Sequence, residues 1–174
     1  MIKGQFTGEV VQDPDAENPR ENFDNAGTIF QYGAPKYILG DEGAEPPGKG
    51  DMCLPVYLYS HSGLTINTTG FACPWDSGQV GWIYISQEDI LKKWGECGEE
   101  KARVCLEGEV ETLDQYLRGD VYGYEIKDKA GEIVDSCWGY YGREWVEEGM
   151  KEMVNWLADN EPGPVAVFGC TASG

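Results

Sequence analysis

The clearest periodic signal in the chain runs from Leu106 to Leu117. Leu106, Val110, Leu113 and Leu117 recur at helical spacing and form one apolar stripe, which predicts a helix over Glu99–Leu117. Gly108 interrupts this pattern at modest cost, and Gly119 stands where a C-terminal cap is expected. A second long helix is predicted over Glu144–Ala158, with Trp145, Val146, Met150, Val154 and Leu157 as its stripe. Ser86 resembles a helix cap with Asp89 three residues on. Ile90, Leu91 and Trp94 then mark a short helix ended by Gly95.

The strand signals have a different period. Val80–Ile85 is the strongest, and Val56–Tyr59 is a short apolar candidate. Leu64–Thr69 alternates, so Leu64 and Ile66 share a face, and Ser60–Gly63 turns between the two. Val121–Ile126 and Glu132–Trp138 flank the polar turn Lys127–Gly131 and read as a hairpin. Thr28–Tyr32 and Lys36–Leu39 read as short strands about Gly33-Ala34-Pro35. Pro162-Gly163-Pro164 stops the last helix, and Val165–Phe168 reads as a final edge strand. These pieces predict a single α+β domain spanning 1–174: a twisted, mostly antiparallel sheet with two main helices packed on one face. Flexible acidic loops are expected near 12–24 and 41–52, where proline and carboxylates cluster.

Composition sharpens this reading through charge. Thirty-one acidic residues face thirteen basic ones, for a net charge of −18 in 174 residues. Nucleic acid and anionic lipid repel such a chain, whereas basic protein surfaces attract it. Six Trp, ten Tyr and five Phe separate it from disordered acidic segments, which lack the aromatics to build a core. No run of about eighteen apolar residues is present, so no membrane span is expected. The N-terminal residues lack an apolar signal core, which points to the cytoplasm.

Candidate chemistry is sparse. The six cysteines contain no C-x-x-C pair, and His61 is the only histidine, so free thiols are favoured and neither a zinc site nor any cofactor is expected. Asp41, Glu42 and Asp51 lack the ordered calcium-loop spacing. Cys73, His61 and Asp76 form a nucleophile, base and orienting carboxylate if folding unites them, which defines a cysteine-dependent hydrolase as the alternative function. For His61 alone, a turn histidine bonded to backbone is the simpler reading.

The acidic helices invite a different reading. Solubilising faces explain any one cluster. Taken together, Glu107, Glu111, Asp114, Glu147, Glu148 and Glu152 form a candidate partner-binding set that replaces phosphate before Arg and Lys. Tyr140 and Tyr141 lie in the aromatic run Trp138-Gly139-Tyr140-Tyr141-Gly142. Core packing is favoured there, with a protein-binding patch second.

Leu54–Ile85, with Tyr57–Gly63 and Phe71–Gly81, resembles a largely uncharacterised family of small acidic proteins encoded by bacteriophages and mobile elements. Asp114–Leu117, Asp120–Gly123 and Asp135–Gly139 extend the resemblance. Its phage setting implies an inhibitor of a host-defence complex, and the acidity adds the expectation of a nucleic-acid mimic that blocks a restriction or RNA-guided system. A structural phage protein with an aromatic interface is a further alternative.

Overall fold

The structure is a computed structural model in which residues 1–160 are described. The expected edge strand Val165–Phe168 and the helix stop at Pro162 lie outside those residues, as does Cys170. Twelve elements follow one another: β1 (Ile2–Lys3), β2 (Phe6–Gln12), α1 (Pro19–Asn22), β3 (Thr28–Gln31), β4 (Met52–Ser60), β5 (Leu64–Asn67), β6 (Ser77–Ile85), α2 (Gln87–Trp94), α3 (Glu99–Arg118), β7 (Val121–Lys127), β8 (Ile133–Tyr141) and α4 (Arg143–Asp159). They form two compact units, one from 1–11 with 122–160 and one from 12–121.

The expectation of one sheet carrying two main helices on one face is overturned. Among the described residues there are two four-stranded sheets, ordered β1-β2-β7-β8 and β3-β6-β4-β5, and four helices, three of them substantial. The pairings β1–β2, β3–β6, β4–β5 and β4–β6 are antiparallel. The missing strand signal was in residues 1–12. Phe6, Gly8 and Val10 point to one face, but the middle position is glycine and reads as a break. Glycine is required there because a Cβ on Gly8 would meet the Met150 and Val154 side chains at about 3 Å. Lys36–Leu39 is also not a strand. Tyr37 closes a turn onto the Ala34 carbonyl, and Gln31 then holds the segment by its side-chain amide.

In the unit spanning 12–121, β4 directs Leu54, Val56 and Leu58 inward, and β6 adds Val80, Ile83 and Ile85. Register places Ile83 between Ile29 of β3 and Leu54 of β4. Ala102, Leu106, Val110 and Leu113 of α3 close over this layer. Full burial of each large apolar side chain contributes about 1.5–3 kcal/mol relative to exposure. Ser86 caps α2 by accepting the Asp89 N–H at 3.1 Å. Gly119 ends α3 at φ 73°, a left-handed conformation that glycine adopts without a Cβ clash.

The other unit has its own core. Phe6, Tyr124, Ile126, Val146, Met150 and Val154 are buried together, with Tyr140 packed at the margin. One face of α4 therefore covers the sheet β1-β2-β7-β8. Trp145 does not join this stripe as expected, because it stands about 100° around the helix from Val146 and farther still from Met150 and Val154, outside the buried face.

Candidate functional site

The two acidic helices use their carboxylates differently. On α3, Glu107 and Glu111 are exposed, whereas Asp114 faces inward. Its Oδ1 accepts the Thr65 hydroxyl at 2.6 Å and the Ile66 N–H at 2.8 Å, which ties the helix to β5. Arg118 reaches its other oxygen at 3.5 Å. Asp114 thus serves the fold.

Glu109 is committed further. Its Oε1 accepts the Ala26 N–H at 2.6 Å, and its Oε2 receives Arg20 Nη1 at 2.9 Å. Arg20 also donates through Nε to Asp41 Oδ1 at 2.8 Å, and through Nη2 to Asp41 Oδ2 at 2.6 Å and the Gly27 carbonyl at 2.8 Å. Asp41 Oδ2 accepts the Ile29 N–H at 2.9 Å. The Arg20 side chain is only 5% exposed and that of Glu109 11%. Every charge in this cluster is paired and hydrogen-bonded, as burial demands. Burial, with Glu109 beside it, also raises the Cys105 thiol above its ordinary pKa. A cleft of about 1030 Å³ opens beside the cluster, between Asp24, Ile38 and Glu42, but the guanidinium on its wall already donates four hydrogen bonds within the protein and is paired with two carboxylates. Sequence reading missed this cluster because Arg20 and Glu109 are 89 residues apart.

On α4 the arrangement is reversed. Glu147 accepts Arg143 Nε at 2.9 Å, one turn away. Glu148 and Glu152 are exposed and join no ion pair among the described residues. Trp145 and Trp156 are exposed on the same side, at 64% and 60%. Tyr140 is not an outward anchor. Its ring lies 6.0 Å from that of Tyr124, and its hydroxyl sits against Gly149 of α4. Burial, then the Cys137 thiol, pushes its pKa up to about 12. Burial likewise raises Tyr124, whose hydroxyl donates to Asp135 at 3.0 Å. Tyr141 is half-buried at the end of β8.

No family model, curated protein or solved structure matches the chain. Its chemistry therefore has to be read from its own residues.

The loop after β4 brings together two of the three hydrolase candidates. His61 Nδ1 lies 3.4 Å from Asp76 Oδ2, and both side chains are open to solvent. Cys73 does not complete the set, since no hydrogen bond joins its thiol to His61 among the described residues. Its backbone carbonyl instead accepts the Ser77 hydroxyl, which shapes the turn into β6. Tyr59 packs beside both His61 and Phe71, so the imidazole stands at the end of an aromatic row. Among the described residues, no group of three metal-ligating side chains converges. No described helix is long and apolar enough to cross a membrane.

Proposed function

We propose that the protein is an acidic inhibitory binding protein. It engages the basic surface of a nucleic-acid-handling complex, of the kind that restricts or cleaves invading DNA, and competes there with phosphate. The observation that carries this reading is the presentation of Glu107, Glu111, Glu148 and Glu152. All four are exposed on well-formed helices and lack an ion-pair partner among the described residues, in a chain of net charge −18. Arg and Lys residues that grip phosphate gain charge-assisted hydrogen bonds from such carboxylates. No catalytic group is needed, because occupation of the basic surface alone excludes the nucleic acid.

The direct test is phage plating on cells that carry defined restriction or RNA-guided systems, with and without this protein. Expression is expected to restore plating on at least one system. Purification of the protein from those cells is expected to bring the corresponding nuclease with it, in a complex that loosens as salt rises. Unchanged plating across the systems, with no nuclease recovered, overturns the reading.

A further inference from the structure

The outward stripe of α4 combines exposed indoles with exposed carboxylates. Trp145 and Trp156 are eleven residues apart, so they lie within about 20° of each other around the helix and about 16 Å apart along it. Glu148 and Glu152 fall between them on the same side. The apolar residues that hold α4 to its sheet, Val146, Met150 and Val154, occupy the opposite side and are buried. Neither tryptophan is needed to cover the core. Two large indoles left in water beside carboxylates form a candidate interaction surface, since Trp is enriched where proteins meet.

The local charges select its occupant. Arg143 is already engaged by Glu147 and lies over the Tyr122 ring at 5.8 Å. Lys3 pairs with Asp159 at the C-terminal end of the stripe. Lys151 lies about 120° around the helix from Trp145 and about 60° from Glu148, so it borders the acidic edge of the stripe, where it joins no ion pair among the described residues. The centre of the stripe is therefore anionic and flanked by aromatic faces. A second copy of this chain brings another −18 to the contact and is disfavoured.

We propose that this stripe docks an arginine-bearing protein segment. Its guanidinium groups stack on Trp145 and Trp156 and pair with Glu148 and Glu152. Arginine fits better than lysine because its planar guanidinium both stacks on an indole and forms a bidentate pair with a carboxylate. This proposal rests on the acidic-inhibitor reading and places its anchor on one helix.

Nona-arginine and nona-lysine peptides serve as probes, with binding followed through the six tryptophan indole N–H signals in nitrogen-15 NMR spectra. Trp145→Phe and Trp156→Phe assign the two signals. Nona-arginine is expected to shift those two most and to bind more tightly than nona-lysine. Trp145→Ala with Trp156→Ala is expected to weaken nona-arginine by about tenfold, as loss of interface anchors does. Glu148→Gln with Glu152→Gln is expected to weaken it and flatten its salt dependence. Glu107→Gln with Glu111→Gln, on α3, is expected to change it less than either. Equal binding of nona-arginine to the tryptophan variant and the native protein overturns this inference and leaves the broader reading standing. Absence of any nona-arginine binding at low salt removes both. A dimer in sedimentation that dissociates on substituting the two tryptophans overturns it in favour of a second copy.

Discussion

Helices α3 and α4 are both long and acidic, yet they present different surfaces. α3 turns Glu109 and Asp114 inward. There they satisfy Arg20, the Ala26 and Gly27 N–H groups, and the Thr65 and Ile66 donors of β5. α4 turns no carboxylate inward. Its core face is Val146, Met150 and Val154, and Glu148 and Glu152 stand in solvent between two tryptophans. A count of acidic residues cannot separate these cases. The difference lies in what the facing segment supplies. Backbone N–H groups and a guanidinium draw a carboxylate in, whereas an apolar sheet leaves it outside.

The comparison breaks first at Glu109. Glu109→Ala removes one partner of a buried guanidinium and leaves the Ala26 N–H without its acceptor. A loss of about 3–5 kcal/mol is expected, because the uncompensated charge stays buried. Urea unfolding measures it. A loss below about 1 kcal/mol would show that Asp41 alone satisfies Arg20, and that Glu109 is as dispensable as the exposed carboxylates of α4.

Asp114 offers a smaller version of the same test. Asp114→Ala leaves the Ile66 N–H and the Thr65 hydroxyl unpaired at a half-buried position. A loss of about 1–3 kcal/mol is expected. Hydrogen exchange at the Ile66 amide should accelerate at the same time, because its acceptor is gone. An unchanged exchange rate would place the anchor of β5 elsewhere.

The local elements were legible where periodicity was unbroken. The helix expected over Glu99–Leu117 is observed over Glu99–Arg118, and that over Glu144–Ala158 over Arg143–Asp159. The cap at Ser86 and the Gly119 terminus carry standard local chemistry and stand where the sequence predicts them. The number of sheets was not legible, because it depends on β2, whose inward alternation passes through Gly8. The candidate site was legible only in part. Glu107, Glu111, Glu148 and Glu152 are exposed as expected, but Asp114 and Glu147 are engaged within the protein. Helical spacing also bears on Trp145. It sits one position from Val146, about 100° around the helix, so it cannot share the face on which Val146, Met150 and Val154 recur at four-residue steps. The partners of Glu109 come from segments distant in sequence, and no local pattern announces them.

The smallest expected effect is the most discriminating. Glu148→Gln with Glu152→Gln removes two charges from α4 without removing a fold contact from the described residues. Stability is expected to change by less than about 0.5 kcal/mol, as for surface substitutions away from special features. The direction is expected to be slightly favourable, because two like charges one turn apart repel and the chain already carries −18. That gain should shrink at high salt, where exposed charges are screened. The same urea experiment that reports several kcal/mol for Glu109→Ala thus reports almost nothing here. A loss above about 1 kcal/mol would mean that these carboxylates also hold the fold together. α4 would then resemble α3, and its outward face would lose its claim to be reserved for a partner.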